Sequence, residues 1–307
     1  MAFTSDKPSV FNILHITLVD GIFYGNPSNK SPVLNILEKW QGGGGSPLVS
    51  QCAGDDPVAE GRLIPHHDEA IVLRSWPFHE ADLLVSLFTR EQGKVKGIAR
   101  HAMKSRRRFG GALEPGTQVR AHYTERPHED LVRLDSFEIL WSPLSAPVDA
   151  LRLAGLQLVV EVLDEAMPDL AAEDNVFRLA LATLTAMEDG SKVWLPVTYF
   201  CLWMNRLMGW MPELGHCAVC GLDLRAEPVW WSPAADGVTC ADDRRPQSRA
   251  LSAESVAESY RMARSSLAQM LTEEEWPRER AADLRAFALG ALERHLERRL
   301  KSAAELG

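Results

Sequence analysis

The sequence predicts an α+β protein: a small closed β-barrel followed by a helical domain into which a zinc-ribbon-like segment is inserted. Three observations carry that expectation. Five short runs rich in Val, Leu, Ile and aromatics follow one another within about 75 residues after Glu69. Beyond Pro147 the apolar period changes from that of a strand to that of a helix. A CxxC at Cys217 and Cys220 is followed, after nineteen intervening residues, by Cys240.

Residues 1–67 differ from the remainder. They carry "QGGGGS" (41–46), scattered prolines and only short apolar fragments such as "VLNIL". Glycine-rich stretches bury little, so this region is expected to be a disordered extension or linker, with His66 and His67 at its edge. The runs "EAIVLRSW", "DLLVSLFTR", "GKVKGIAR", "TQVRAHYTER" and "DLVRLDSFEI" then read as strands, separated by turns such as "SWPFHEAD" and "REQGK". Alternation puts Val119, Ala121 and Tyr123 on one face and Gln118, Arg120 and His122 on the other. Five such strands suit a closed barrel, assigned to residues 68–146.

Helical period takes over in residues 147–214. "DALRLAGLQLVVEVLDEAM" aligns Leu153, Leu156, Val160 and Leu163 on one face. "EDNVFRLALATLTAMEDG" opens with acids and closes with glycine, as helix ends favour. The stretch at 193–211 is apolar nearly all round and reads as a central core helix. After a ribbon-like insertion at 215–247, residues 248–307 complete the helical domain. "LSAESVAESYRMARSSLAQML" reads as one helix, and Leu289, Leu292, Leu296 and Leu300 line one face of the last.

With 46% hydrophobic and 24% charged residues, the 307-residue chain has the composition of a globular protein with a core. Five cysteines without a secretory signal point to a reduced, cytoplasmic protein. The apolar stretch at 193–211 contains Pro196, Asn205 and Arg206, and a central arginine costs a membrane helix about 3 kcal/mol. The net charge of −9 argues against nucleic-acid binding over the whole surface but not at a local basic patch.

The cysteines suggest a structural metal site. Two CxxC pairs about 15–20 residues apart form a zinc ribbon, but here Asp243 stands where the fourth cysteine would be. Aspartate ligates zinc, so Cys217, Cys220, Cys240 and Asp243 are the candidate ligands of one structural Zn²⁺. His216 is a poorer fourth ligand, because its neighbour Cys217 would have to turn to the same ion. The alternative is a metal-free relict ribbon held by the packing of Trp230 and Trp231. No thioredoxin-like pattern supports a redox CxxC, and no nearby Glu or His has the spacing of a catalytic zinc site.

The basic patch lies between the third and fourth strands. From Gln92 to Leu113 there is no acid, while Lys94, Lys96, Arg100, Lys104, Arg106, Arg107 and Arg108 all fall within the window. Solvated loops usually mix signs, so this run is the candidate DNA-binding element, its cations neutralising phosphates. Phe109 and Tyr123 are candidate platforms for unstacked bases, with barrel core as the alternative for Phe109. The glycines of "FGGALEPG" suggest a loop passing close to another backbone.

The segment from Glu69 through "RRRFGGALEPG" closely resembles the N-terminal domain of the bacterial DNA repair protein RecO family. The chain order of barrel, helices and inserted "CAVCG…WSPAADGVTC" ribbon is similar to that family as well. The resemblance runs from about Glu69 to the C-terminus. It implies an OB fold and no enzymatic active site. It further implies binding of single- and double-stranded DNA, annealing of complementary strands, and help in loading recombinase on gaps coated by single-stranded-DNA-binding protein. RecR, the C-terminal tail of that coating protein and, in some lineages, RecF are the implied partners, in the cytoplasm at the nucleoid. Residues 1–67 and Asp243 depart from the family pattern. Two other readings stand beside it: an adaptor whose basic loop recognises acidic peptide tails, and a zinc-ribbon transcriptional regulator. The latter needs a base-reading helix, yet the polar helix from Ser252 offers only Arg261 and Arg264. A metal-dependent or acid–base enzyme acting on nucleic acid would need clustered carboxylates or histidines, and only His66 with His67 forms such a pair.

Overall fold

The computed structural model describes residues 63–306 apart from 127–128, 190–191, 226 and 274. Five strands, β1 (Ile64–Pro77), β2 (Leu83–Thr89), β3 (Gly93–Ala99), β4 (Gln118–Glu125) and β5 (Val132–Trp141), close into a barrel of order β1-β2-β3-β5-β4. All pairs are antiparallel except the closing one, where Gly97–Ala99 runs parallel to Val132–Leu134. This is an OB-like arrangement, and it leaves the barrel without a free edge.

The expectation for residues 1–67 falls outside the described residues up to 62. Its last residues need correcting: β1 starts at Ile64, and His66 and His67 pair across the ladder with Tyr123 and His122. The run "IPHHDE" has no apolar alternation, so it reads as linker, but the ladder with β4 continues through it. The predicted faces of β4 are as expected, with Val119, Ala121 and Tyr123 buried inside the barrel.

The outer wall of β1 and β2 is apolar too, and it joins the helical domain. Ile71, Leu73 and Phe88 belong to the core formed by α1 (Ala150–Ala166), α2 (Asp174–Ala186) and α3 (Trp194–Leu207). Phe88 meets Phe177 at 6.0 Å between ring centroids. At the end of this wall Gly93, with φ +75°, lets the backbone of Ala171 approach so closely that a Cβ would lie 2.1 Å from the Ala171 carbonyl oxygen. Leu170 N–H donates to the Lys94 carbonyl at 3.0 Å, fixing the same contact.

α1 starts on Asp149, whose carboxylate accepts the Arg152 N–H at 2.7 Å. The wholly buried Arg152 guanidinium donates to the carbonyls of Pro143, Ala146 and Pro147, pinning the turn between barrel and helices. Of the predicted α1 stripe, Leu156, Val160 and Leu163 are buried, but Leu153 is exposed. α1 buries Ala154, Leu158 and Val162 as well, and this second stripe rotates Leu153 to the surface. α3 is central as expected: ten of its residues are buried, and Asn205 donates across to the Ala288 carbonyl. No helix of the described residues is long and apolar enough to cross a membrane.

The ribbon-like segment contributes β6 (Val229–Trp231), which pairs antiparallel with β7 (Arg249–Leu251), just beyond the expected end of the insertion at 247. The predicted single helix after Ser252 is two, α4 (Ala253–Arg264) and α5 (Leu267–Glu273), broken at the extended Ser265. The last predicted helix also divides. α6 (Ala282–His295) stops, Glu297 takes the left-handed conformation (φ 53°), and the chain resumes as α7 (Lys301–Glu305). Leu292 and Leu300 are buried as expected, but Leu292 lies on α6 and Leu300 is the extended residue just before α7, while Leu289 and Leu296 are only partly covered.

Candidate nucleic-acid interface

The loop between β3 and β4 is folded, and its apolar residues explain how. Ala102, Phe109 and Ala112 turn inward and join the barrel core, with Phe109 edge-on to Phe137 at 5.3 Å. The Arg108 carbonyl accepts the Phe137 N–H at 2.8 Å, bolting the loop to β5. The front of the loop is tied to the β1–β2 turn: Met103 N–H donates to the Ala81 carbonyl at 3.2 Å, and His101 N–H to Asp82 Oδ1 at 2.7 Å. Gly110 supplies a left-handed residue (φ 46°). The expected close backbone passage holds at Gly110, where a Cβ would lie 3.1 Å from the Arg106 carbonyl oxygen, but not at Gly111, where it would meet nothing within 4 Å.

The seven cations of the acid-free window divide into three groups. Arg100, Lys104, Arg106 and Arg107 are exposed. Among the described residues none of the four has a carboxylate partner, whereas the exposed Arg90, Arg120, Arg225 and Arg298 each have one. Arg108 faces the loop itself: it donates to the Arg100 carbonyl at 2.5 Å and to Ser105 Oγ at 3.0 Å, and lies over the Phe109 ring at 5.1 Å.

Lys94 and Lys96 point to the helical domain. Lys94 Nζ donates to the Asp164 carbonyl at 2.8 Å and lies 3.4 Å from Asp169 Oδ1, while Lys96 Nζ is 3.1 Å from Asp169 Oδ2. Burial pushes the Asp169 carboxyl up, but the Lys96 hydrogen bond and both lysine charges outweigh it and hold the group below its ordinary value. The sequence could not reveal this, because Asp169 lies far along the chain.

The two candidate stacking residues are corrected: Phe109 and Tyr123 are each 2% exposed and belong to the barrel core. Sequence reasoning missed Phe78 and Met103, which are 43% and 58% exposed beside the basic loop. "SWPFHEAD" shows a turn and gives no sign of which way its phenylalanine faces.

The ribbon brings Cys217, Cys220, Cys240 and Asp243 together, with one ligand atom from each within 4.8 Å of the others. Cys217 and Cys240 thiols each donate to Asp243 Oδ2 at 3.2 Å, and the Cys220 and Cys240 sulfurs are 3.9 Å apart. A tetrahedral ion 2.3 Å from each sulfur requires sulfurs about 3.8 Å apart, so the donor set fits zinc in geometry and chemistry. The Val219 and Cys240 N–H groups point at Cys217 Sγ, both at 3.4 Å. Burial raises the Cys217 thiol, but these amide hydrogen bonds outweigh it and favour the thiolate. The Asp243 carboxylate pushes Cys220 up to about 12. His216 takes no part, pairing with Glu213 at 2.7 Å.

Comparison with known proteins agrees with this architecture. Residues 63–143 match the family model "Recombination protein O N terminal", and residues 147–304 match "Recombination protein O C terminal". A DNA repair protein RecO of Koribacter versatilis is 51% identical over 238 residues, covering 78% of this chain and 96% of that protein. Its counterpart in Anaeromyxobacter sp. strain K is 36% identical, covering 75% and 91%. That of Geobacter sulfurreducens is 32% identical, covering 79% and 97%. With both halves of the described fold matched and nearly the full length of these relatives covered, the chain belongs to the RecO family of DNA repair proteins.

Proposed function

We propose that this protein is a recombination mediator that works by binding: it holds single- and double-stranded DNA and anneals complementary strands. It also helps load recombinase on gaps coated by single-stranded-DNA-binding protein. The observation that carries the reading is the group of four exposed cations without carboxylate partners among the described residues, Arg100, Lys104, Arg106 and Arg107, on a loop folded against the barrel. Such a loop offers phosphates a fixed row of charge and pays little entropy on binding, since its backbone is already ordered. Cations that screen two backbones lower the repulsion between complementary strands over the roughly 8–10 Å reach of charge in salt. Annealing needs no covalent chemistry beyond that.

RecR, the tail of the coating protein and, in some lineages, RecF are the proposed partners, met at the nucleoid. A structural Zn²⁺ held by Cys217, Cys220, Cys240 and Asp243 would cross-link the two ends of the ribbon. The test of the main reading is fluorescence anisotropy with a labelled single-stranded oligonucleotide over a salt series, followed by an annealing assay. Tight binding with a steep negative salt slope and faster annealing support it. A folded protein that binds no DNA at low salt defeats it, and competition by an acidic peptide instead would bring the adaptor forward.

A further inference from the structure

Among the described residues, Phe78 is the one Phe, Tyr or Trp that is exposed. Every other described phenylalanine is buried, so an exposed ring here is a departure from how the chain treats this residue type. The ring is also held in place. Phe78 N–H donates to the Asp82 carbonyl at 3.0 Å, closing the turn, and His79 braces the ring edge-to-face at 4.3 Å. The same turn is hydrogen-bonded to the basic loop through Ala81 and Asp82, so the ring and the row of free cations share one support. The exposed thioether of Met103 extends the apolar surface on the loop side of that joint.

We infer that Phe78 is a stacking platform for an unpaired nucleobase of the strand whose phosphates the loop cations hold. The inference rests on the DNA-binding reading above and adds to it a preference for unpaired bases. An aromatic face beside a cationic row is how single strands are bound without sequence readout. A duplex keeps its bases stacked on one another and offers only its phosphates to the loop. The platform therefore discriminates single strand from duplex, and it leaves a base splayed and available while its partner strand is sought. The one exposed acid of the turn, Glu80, does not oppose this, because a base is neutral.

The experiment measures anisotropy of a labelled oligothymidine and of a labelled duplex of equal length with the wild-type full chain, Phe78→Ala, Phe78→Tyr and Phe78→Leu. Phe78→Ala is expected to weaken single-strand binding roughly 5- to 150-fold, with the salt slope unchanged because no cation is lost. Duplex affinity stays within about twofold, Phe78→Tyr retains single-strand affinity, and Phe78→Leu behaves like alanine. Phe78 is exposed, so the variants keep the wild-type melting temperature. Single-strand affinity equal to wild type in Phe78→Ala, or equal losses on both substrates, overturns the inference. Full rescue by Phe78→Leu also overturns it, pointing to an apolar contact with a protein partner instead. A wild-type protein that binds neither substrate defeats the DNA-binding reading itself, which is a different outcome.

Discussion

Lys96 Nζ lies 3.1 Å from Asp169 Oδ2, across the joint between the barrel and the helical domain. With Lys94 at 3.4 Å from the other oxygen, one carboxylate receives two cations that the sequence offers as phosphate ligands. The barrel wall is thus fastened to the helices by charge as well as by the shared apolar core.

The fastening depends on pH in a definable direction. Asp169 has a folded pKa below its ordinary 3.8, so its stabilisation is complete above about pH 4 and is lost as pH falls through the folded value. The carboxylate is more than half exposed, so after screening the pair contributes only about 0.5–1 kcal/mol. Asp169→Asn is expected to lower the melting temperature by about 1–4 °C at pH 7. The difference from wild type should shrink below pH 4 and vanish at lower pH, as read by thermal denaturation across pH. A difference that persists unchanged to pH 2.5 would contradict the assignment.

Lysines of the joint and arginines of the loop should separate in binding. Replacing Arg100, Lys104, Arg106 and Arg107 together by alanine is expected to flatten the single-strand salt slope by about 3, at roughly 0.7 per cation. Lys96→Ala should leave the slope at the wild-type value and shift only the melting temperature. A slope change in Lys96→Ala would mean that its contact with Asp169 opens for DNA.

These contrasts mark what the sequence made legible. Val119, Ala121 and Tyr123 declare their inward face because a strand side chain is sorted by its immediate neighbours, and the central helix declares itself by being apolar all round. The four cysteine-site residues were likewise visible, since ligand spacing is local. Lys94 and Lys96 looked like members of the basic run because their partner belongs to another element. Leu153 looked buried because one apolar stripe was expected on α1, where packing against both barrel and helices uses two. Glu297 breaks the last helix through a backbone angle that no residue type in "LERHLERRL" announces.

Metal content offers an independent check. The purified protein is expected to carry about one zinc, with Cys217→Ser abolishing it and Asp243→Cys binding it more tightly under chelator competition, measured by elemental analysis and a colorimetric zinc indicator. Thiolate is a stronger zinc ligand than carboxylate, so an Asp243→Cys site that loses zinc faster than wild type would remove Asp243 from the ligand set.

Gly93→Ala tests the closest approach of barrel and helices. A methyl group there meets the Ala171 backbone at 2.1 Å and forces φ +75° on an L-residue. The cost of overpacking and backbone strain together should be at least about 2 kcal/mol in chemical denaturation. Wild-type stability in Gly93→Ala would show that the 93–94 and 170–171 segments can part without loss.

The core shared by Ile71, Leu73 and Phe88 with the helices bears on how strands can meet on this molecule. A seam stitched by interdigitated side chains has no hinge, so the loop cannot swing toward a second strand by bending the protein in two. On the proposed annealing role, a bound strand would then be presented in one orientation, and the search for complementary register would fall to the flexible nucleic acid.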